Sequence, residues 1–136
     1  MSYLPPPAST LIRAVRVLLV DDETLFVEAL SKVLRRRGFV VGTASSAEEG
    51  IAMLAAADYE VVVLDLRMPG AGGLAGLREM SRVRPETRII MLTGHGTVAA
   101  GIEAMLAGAT DFLRKPVAVD DLVAVIQAAA ESPNRA

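Results

Sequence analysis

Asp21, Asp22 and Glu23 stand side by side at the end of an apolar run, V-R-V-L-L-V-D-D-E. Asp65 closes a second run, V-V-V-L-D. Thr93 closes a third, I-I-M-L-T, and Lys115 follows a fourth, D-F-L-R-K-P. Clustered carboxylates repel one another unless a cation sits among them. A hard divalent ion suits an all-oxygen set, and Mg²⁺ commonly takes one or two carboxylates, water and a phosphate. With one histidine and no cysteine in the chain, a softer metal finds no matching ligands. Beside such an ion a carboxylate such as Asp65 can act as nucleophile on phosphorus. The metal and Lys115 would stabilise charge on the equatorial oxygens, and the Thr93 hydroxyl would donate to one of them.

Each residue alone has an ordinary explanation. Asp22 and Glu23 suit the positive end of a helix dipole. A threonine at a strand end is usually structural, and Lys-Pro is usually a turn. Their position gives them meaning, because each group falls at the end of a different strand, in chain order.

The strands are expected at Arg16–Asp21, Phe39–Ala44, Glu60–Asp65, Arg88–Thr93 and Asp111–Arg114. Several are near-continuous apolar runs, as in strands covered on both faces. Helices fall between them. Thr24–Arg37 places Phe26, Ala29, Leu30, Val33 and Leu34 on one face, and Gly38 stops it. Ser46-Ala-Glu-Glu49 has capping-box spacing and opens a helix to about Ala56. Gly73–Val83 is the third helix. Val98, Ile102, Met105 and Leu106 form the face of a fourth over Thr97–Ala107, with Gly108 as its stop. Leu122, Val125, Ile126 and Ala129 give the last its inner stripe. Five such β-α repeats call for a doubly wound α/β fold with a parallel sheet and right-handed crossovers. Ligands of such a sheet bind outside the carboxyl ends of the strands, near the point where strand order reverses. The acids, the hydroxyl and the lysine all belong to that edge.

The totals narrow the function classes. Hydrophobic residues make up 52% of the chain and mean hydropathy is +0.42. The longest unbroken apolar run, Ile51–Ala57, is far short of the ~20 residues that span a bilayer. A net charge of −2 gives no electrostatic case for nucleic acid or an acidic membrane. Without cysteine, disulfides and thiolate metal sites are excluded. The start, M-S-Y-L-P-P-P-A-S-T, lacks a basic region and a continuous apolar core, so a cytoplasmic location is expected. Residues 1–14 read as a flexible tail, 15–131 as the domain, and 132–136 as a tail or the start of a linker.

Together, V-L-L-V-D-D-E, V-V-V-L-D-L-R-M-P-G, I-I-M-L-T-G-H-G and G-A-T-D-F-L-R-K-P resemble the receiver domain of bacterial two-component response regulators, over roughly Arg16–Glu131. The resemblance implies a flavodoxin-like five-stranded sheet, order 2-1-3-4-5, with five helices. It implies that Asp65 accepts a phosphoryl group from a sensor histidine kinase or phosphotransfer protein. Asp21, Asp22, Asp65 and the backbone carbonyl of Arg67 would hold Mg²⁺. Lys115 would pair with the phosphoryl group and Thr93 would move toward it. Phe112 matches the aromatic switch position, and Lys115–Pro116 matches a bond typically cis in the family. The fourth helix, fifth strand and last helix would change on phosphorylation. The readers implied are a downstream output domain or protein, and a phosphorylation-linked homodimer is a family habit. No reaction beyond self-phosphorylation and self-dephosphorylation is expected.

Arg67 and His95 occupy positions that vary in such domains and could tune loss of the phosphoryl group, with Arg67 contacting or screening it. His95 fits a loop residue near the mouth better than a phosphohistidine relay. Met68-Pro69-Gly70 shapes the loop after Asp65. Arg35-Arg36-Arg37 is what a helix C-terminus favours. Two other functions stay in view. A small Mg²⁺-dependent phosphohydrolase could use Asp65 and Lys115 but would need a specificity insertion, and the connections are short. A scaffold-only relative would typically lack an acid or the lysine, and none is missing.

Overall fold

The run R-V-L-L-V has no polar side chain after its first residue, so both faces of that strand must be covered. In the computed structural model, which describes residues 14–68, 72–94 and 97–131, it is the strand β1 (Arg16–Val20) inside a five-stranded sheet. The others are β2 (Val40–Ala44), β3 (Val61–Leu64), β4 (Arg88–Thr93) and β5 (Asp111–Arg114), all parallel, in the order β2-β1-β3-β4-β5. Five helices join and cover them: α1 (Thr24–Arg36), α2 (Ala47–Ala56), α3 (Gly72–Val83), α4 (Val98–Leu106) and α5 (Val119–Glu131). The expected fold class and strand order are both met. The expected tails lie outside the described residues, Ala14 excepted.

Alternate side chains of the strands enter two cores. Val17, Leu19, Val61, Val63, Ile90 and Leu92 pack with α1 and α5. Leu18, Val20, Val62, Leu64, Ile89 and Met91 pack with α2, α3 and Ala104 of α4. Helix ends follow the local chemistry. Ser46 Oγ accepts from the Glu49 backbone N–H at 3.1 Å, while the Glu49 carboxylate returns to Ser45 N at 2.7 Å. Gly38 and Gly108 adopt φ of 96° and 114°, the left-handed conformation that ends a helix at low cost.

Three expected faces are corrected. The buried register of α1 is Val27, Leu30, Ser31 and Leu34, with Ala29 exposed and Phe26 and Val33 half-buried. Ser31 is tolerated inside because its hydroxyl donates to Glu28 O at 2.9 Å. In α5, Val123 is buried and Val125 only partly so. In α4, Val98, Ile102, Met105 and Leu106 point outward, Val98 and Leu106 being 83% and 84% exposed. That helix lies close to the sheet through Ala104 and Gly101, so its large residues are left outside. The arginines at the end of α1 are tethers. Arg37 Nη2 meets Asp120 Oδ1 at 2.7 Å and Arg35 Nη2 donates to Val41 O at 3.1 Å. Among the described residues no helix is long and apolar enough to cross a membrane.

The start of α3 is pressed against the strand end that carries Asp65. Gly73 N–H donates to Leu66 O at 2.9 Å, and a Cβ on Gly73 would lie 2.6 Å from Leu66 Cα and against the Asp65 carbonyl. Both neighbours are backbone and cannot rotate away. Gly73→Ala should therefore cost about 2–3 kcal/mol. Urea unfolding would check it, the expectation being a lowered midpoint with an unchanged slope.

Candidate functional site

Register alone gathers the acids. Val20 of β1 pairs with Leu64 of β3, so the next residues, Asp21 and Asp65, leave the sheet side by side. Asp21 N–H donates to Ala44 O at 3.1 Å and Asp65 N–H to Val20 O at 2.9 Å, which fixes both backbones. On the other flank Thr93 pairs with Arg114, and Lys115 N–H donates to Thr93 O at 2.8 Å. The Lys115–Pro116 bond is cis. Chain order reverses between β1 and β3, so the site lies where an open α/β sheet forms its crevice.

Asp21, Asp65 and Thr93 are buried, while Asp22 is exposed at the rim. One carboxylate oxygen from each of Asp21, Asp22 and Asp65 lies within 4.8 Å of the other two. Burial pushes the Asp65 carboxyl above the usual carboxylate range, and the charge of Asp21 adds to the shift. A hydrogen bond from Thr93, the charge of Lys115 and a bond from the Arg67 backbone N–H oppose it without overcoming it. These contacts leave Asp65 Oδ1 buried with no hydrogen-bond partner. A buried charged oxygen without a partner is costly. Three converging carboxylates, one with an orphaned oxygen, fit a small hard cation.

Lys115 reaches across from β5. Its Nζ donates to Asp21 Oδ2 at 2.7 Å and to Glu23 Oε1 at 2.6 Å, and it lies 4.3 Å from the centre of the Phe26 ring. Burial alone would lower its proton affinity. The bonds to Asp21 and Glu23, with the charges of Asp21 and Asp65, outweigh this and hold the ammonium above its ordinary value. A recess of about 660 Å³ opens over these groups, lined by Asp22, Glu23, Phe26, Asp65, Arg67 and Lys115 among others.

The structure thus brings together Asp21, Asp22, Asp65, Thr93 and Lys115, and sets the exposed Arg67 at the recess. His95, with Pro69 and Gly70, lies outside the described residues. Phe112 pairs with Met91, two residues before Thr93, which puts it on the same sheet face as Thr93. It is half-buried and faces Gly101 of α4. Glu23 and Phe26 were not expected at the site, having been read as helix-start charge and helix core. Their i, i+3 spacing at the start of α1 was the available signal, since it sets both on one side of that turn.

A family model described as response regulator receiver domain matches residues 17–127. The photosynthetic apparatus regulatory protein RegA of Cereibacter sphaeroides is 39% identical over 116 residues, 85% of this chain and 63% of that protein. The chain therefore spans less than two thirds of that relative's length. Among solved structures, a CheY-like receiver domain protein from Methanospirillum hungatei superposes with a TM-score of 0.84 at 28% identity, covering 87% of this chain and 94% of that one. A response regulator from Burkholderia pseudomallei, described with a phosphorylated aspartic acid, calcium ion and citrate, has a TM-score of 0.80 at 30% identity, covering 85% and 68%.

The raised Asp65 value has a consequence for stability. The folded protein holds on to a proton that the unfolded chain has already lost, so the ionised carboxylate works against folding above that range. The cost disappears as pH falls below the unfolded value. Without divalent metal at neutral pH, Asp65→Asn should raise the melting temperature by about 2–6 °C. The gain should shrink on acidification and on addition of millimolar Mg²⁺. Thermal unfolding with EDTA and with Mg²⁺ measures both.

Proposed function

The chain belongs to the response regulator receiver domain family, and on that premise we propose that Asp65 is its phosphoacceptor and that phosphorylation there drives a switch in its binding face. The observation that carries this reading is Asp65 itself: a buried carboxylate with one unpartnered oxygen, between Thr93, Lys115 and two further acids, under an open recess. The Burkholderia response regulator, with its phosphorylated aspartic acid and calcium ion, supports the same chemistry.

Asp65 attacks the phosphorus of a phosphohistidine or a small phosphodonor. The new bond joins its carboxylate oxygen to phosphorus, the donor's bond to phosphorus breaks, and the electron pair leaves with the donor. Mg²⁺, held by Asp21, Asp22, Asp65 and the Arg67 carbonyl, would neutralise the acids and draw charge from the phosphoryl oxygens. Lys115 offers its ammonium to one of those oxygens, and Thr93 its hydroxyl to another. Water later attacks phosphorus, releasing phosphate and restoring the carboxylate. Arg67, exposed at the recess, screens the phosphoryl group from that attack.

The added charge is the signal. Thr93 moving toward it vacates space beside Phe112, whose ring faces Gly101 of α4. The outward row Val98, Ile102, Met105 and Leu106, with Phe112 at its edge, is the surface proposed to change. The partners proposed are a sensor histidine kinase or phosphotransfer protein upstream and an output domain or protein downstream, with a phosphorylation-linked homodimer as one output and the cytoplasm as the location. The phosphohydrolase alternative finds no support, since the matched family and the two solved structures described are response regulators.

Incubation with Mg²⁺ and acetyl phosphate should add one phosphoryl group by intact mass. Asp65→Asn, or omission of Mg²⁺, should abolish it. Absence of both an adduct and released phosphate would overturn the acceptor role. In the same time course Arg67→Ala should lose its phosphoryl group severalfold faster than the wild type, and an equal or slower loss would remove the screening role.

A further inference from the structure

Glu23 behaves like neither a helix cap nor a metal ligand. It occupies the N-cap position of α1, yet its side chain makes no capping bond. It also lies outside the group of carboxylates that converge within 4.8 Å, which is Asp21, Asp22 and Asp65. Its carboxylate is instead 2.6 Å from Lys115 Nζ. Asp21 holds the same ammonium at 2.7 Å, and the Phe26 ring closes another side at 4.3 Å. Asp65 acts on Lys115 through charge. An ammonium has three donors, and two of them are engaged away from Asp65.

We propose that Glu23 is a positioning residue that holds Lys115 in the resting state and gives it up when Asp65 is phosphorylated. The proposal rests on the reading of Asp65 as phosphoacceptor. The exchange suits the geometry. Glu23 is 62% exposed, so its carboxylate can return to water cheaply, whereas Asp21 is anchored by accepting the Glu23 backbone N–H at 2.9 Å. Phosphorylation places strong acceptor oxygens and nearly two negative charges at Asp65, a better partner for an ammonium than one solvated carboxylate. Glu23 thereby competes with the phosphoryl group for the lysine, and the competition sets how readily the phosphorylated state forms.

The chain has two lysines, Lys32 and Lys115, so this chain labelled with ¹³C and ¹⁵N in lysine gives two side-chain NMR signals, assigned with Lys32→Arg. The comparison is between wild type, Glu23→Gln and Glu23→Asp, first in EDTA and then with Mg²⁺ and beryllofluoride as a phosphoryl mimic. In EDTA the Lys115 signal should move in Glu23→Gln and return part of the way in Glu23→Asp. With Mg²⁺ and beryllofluoride, wild type and Glu23→Gln should coincide. With acetyl phosphate, Glu23→Gln should be phosphorylated about two- to fivefold faster, the range an exposed ion pair supports, with unchanged Mg²⁺ affinity. An unmoved Lys115 signal in EDTA overturns the holding contact. Signals that stay apart in the beryllofluoride state overturn the release, and a parallel loss of Mg²⁺ affinity makes Glu23 a metal-site residue instead. A wild type that takes up neither phosphoryl nor beryllofluoride overturns the acceptor reading and the release with it. The EDTA spectra tell that failure apart from failure of the contact.

Discussion

Two carboxylates, Asp21 and Asp65, are buried side by side because Val20 and Leu64 are paired across the centre of the sheet. Like charges in a half-apolar crevice oppose folding, and the surroundings are arranged to compensate. Lys115 crosses from β5, which is not a neighbour of β1, and its four-carbon stem spans the gap left by the reversal of strand order. Its approach is set by the Thr93–Arg114 pairing and by the bond from Lys115 N–H to Thr93 O. One lysine cannot neutralise three acids. The remaining negative charge, with an unpartnered oxygen on Asp65, is what suits the crevice to a cation.

Much of this was legible in the chain. Strands buried on both faces write themselves as apolar runs, and β4 and β5 begin and end where expected. The expected strands β1 and β3 each ran one residue too far, through Asp21 and Asp65. Those acids leave the strand at the step where it becomes a site. Helix faces were less legible. Ser31 was passed over in α1 because a hydroxyl reads as surface, although it can satisfy itself on the carbonyl of Glu28 and then count as core. In α5, Val123 and Val125 are the same residue type, and only the packing direction decides between them.

The residues of the proposed acceptor, the acids, the hydroxyl and the lysine could be placed together from position because each ends a different strand. What holds the lysine could not. Glu23 has an ordinary use at a helix start and Phe26 an ordinary use in a helix core, so neither residue type calls for a second role. Their contacts with Lys115 depend on the β1–β3–β4–β5 spacing, a tertiary fact that no local pattern carries.

The same limit explains α4, and it bears on how the switch would work. A row of large apolar residues at helical spacing reads as an inner face, and in α1 and α5 the rule holds approximately. In α4 only Ala104 is buried, and Gly101 presents no side chain to the Phe112 ring. An element held by so little buried side chain can shift without forfeiting much hydrophobic stabilisation. The opposite arrangement, with Val98, Ile102 and Leu106 driven into the core, would fix α4 as firmly as α3 is fixed by Leu77 and Met80. Under the proposed function, loose attachment next to Thr93 and Phe112 would let a local charge change at Asp65 be read at a distance. It also leaves an apolar row in water that a partner would gain by covering.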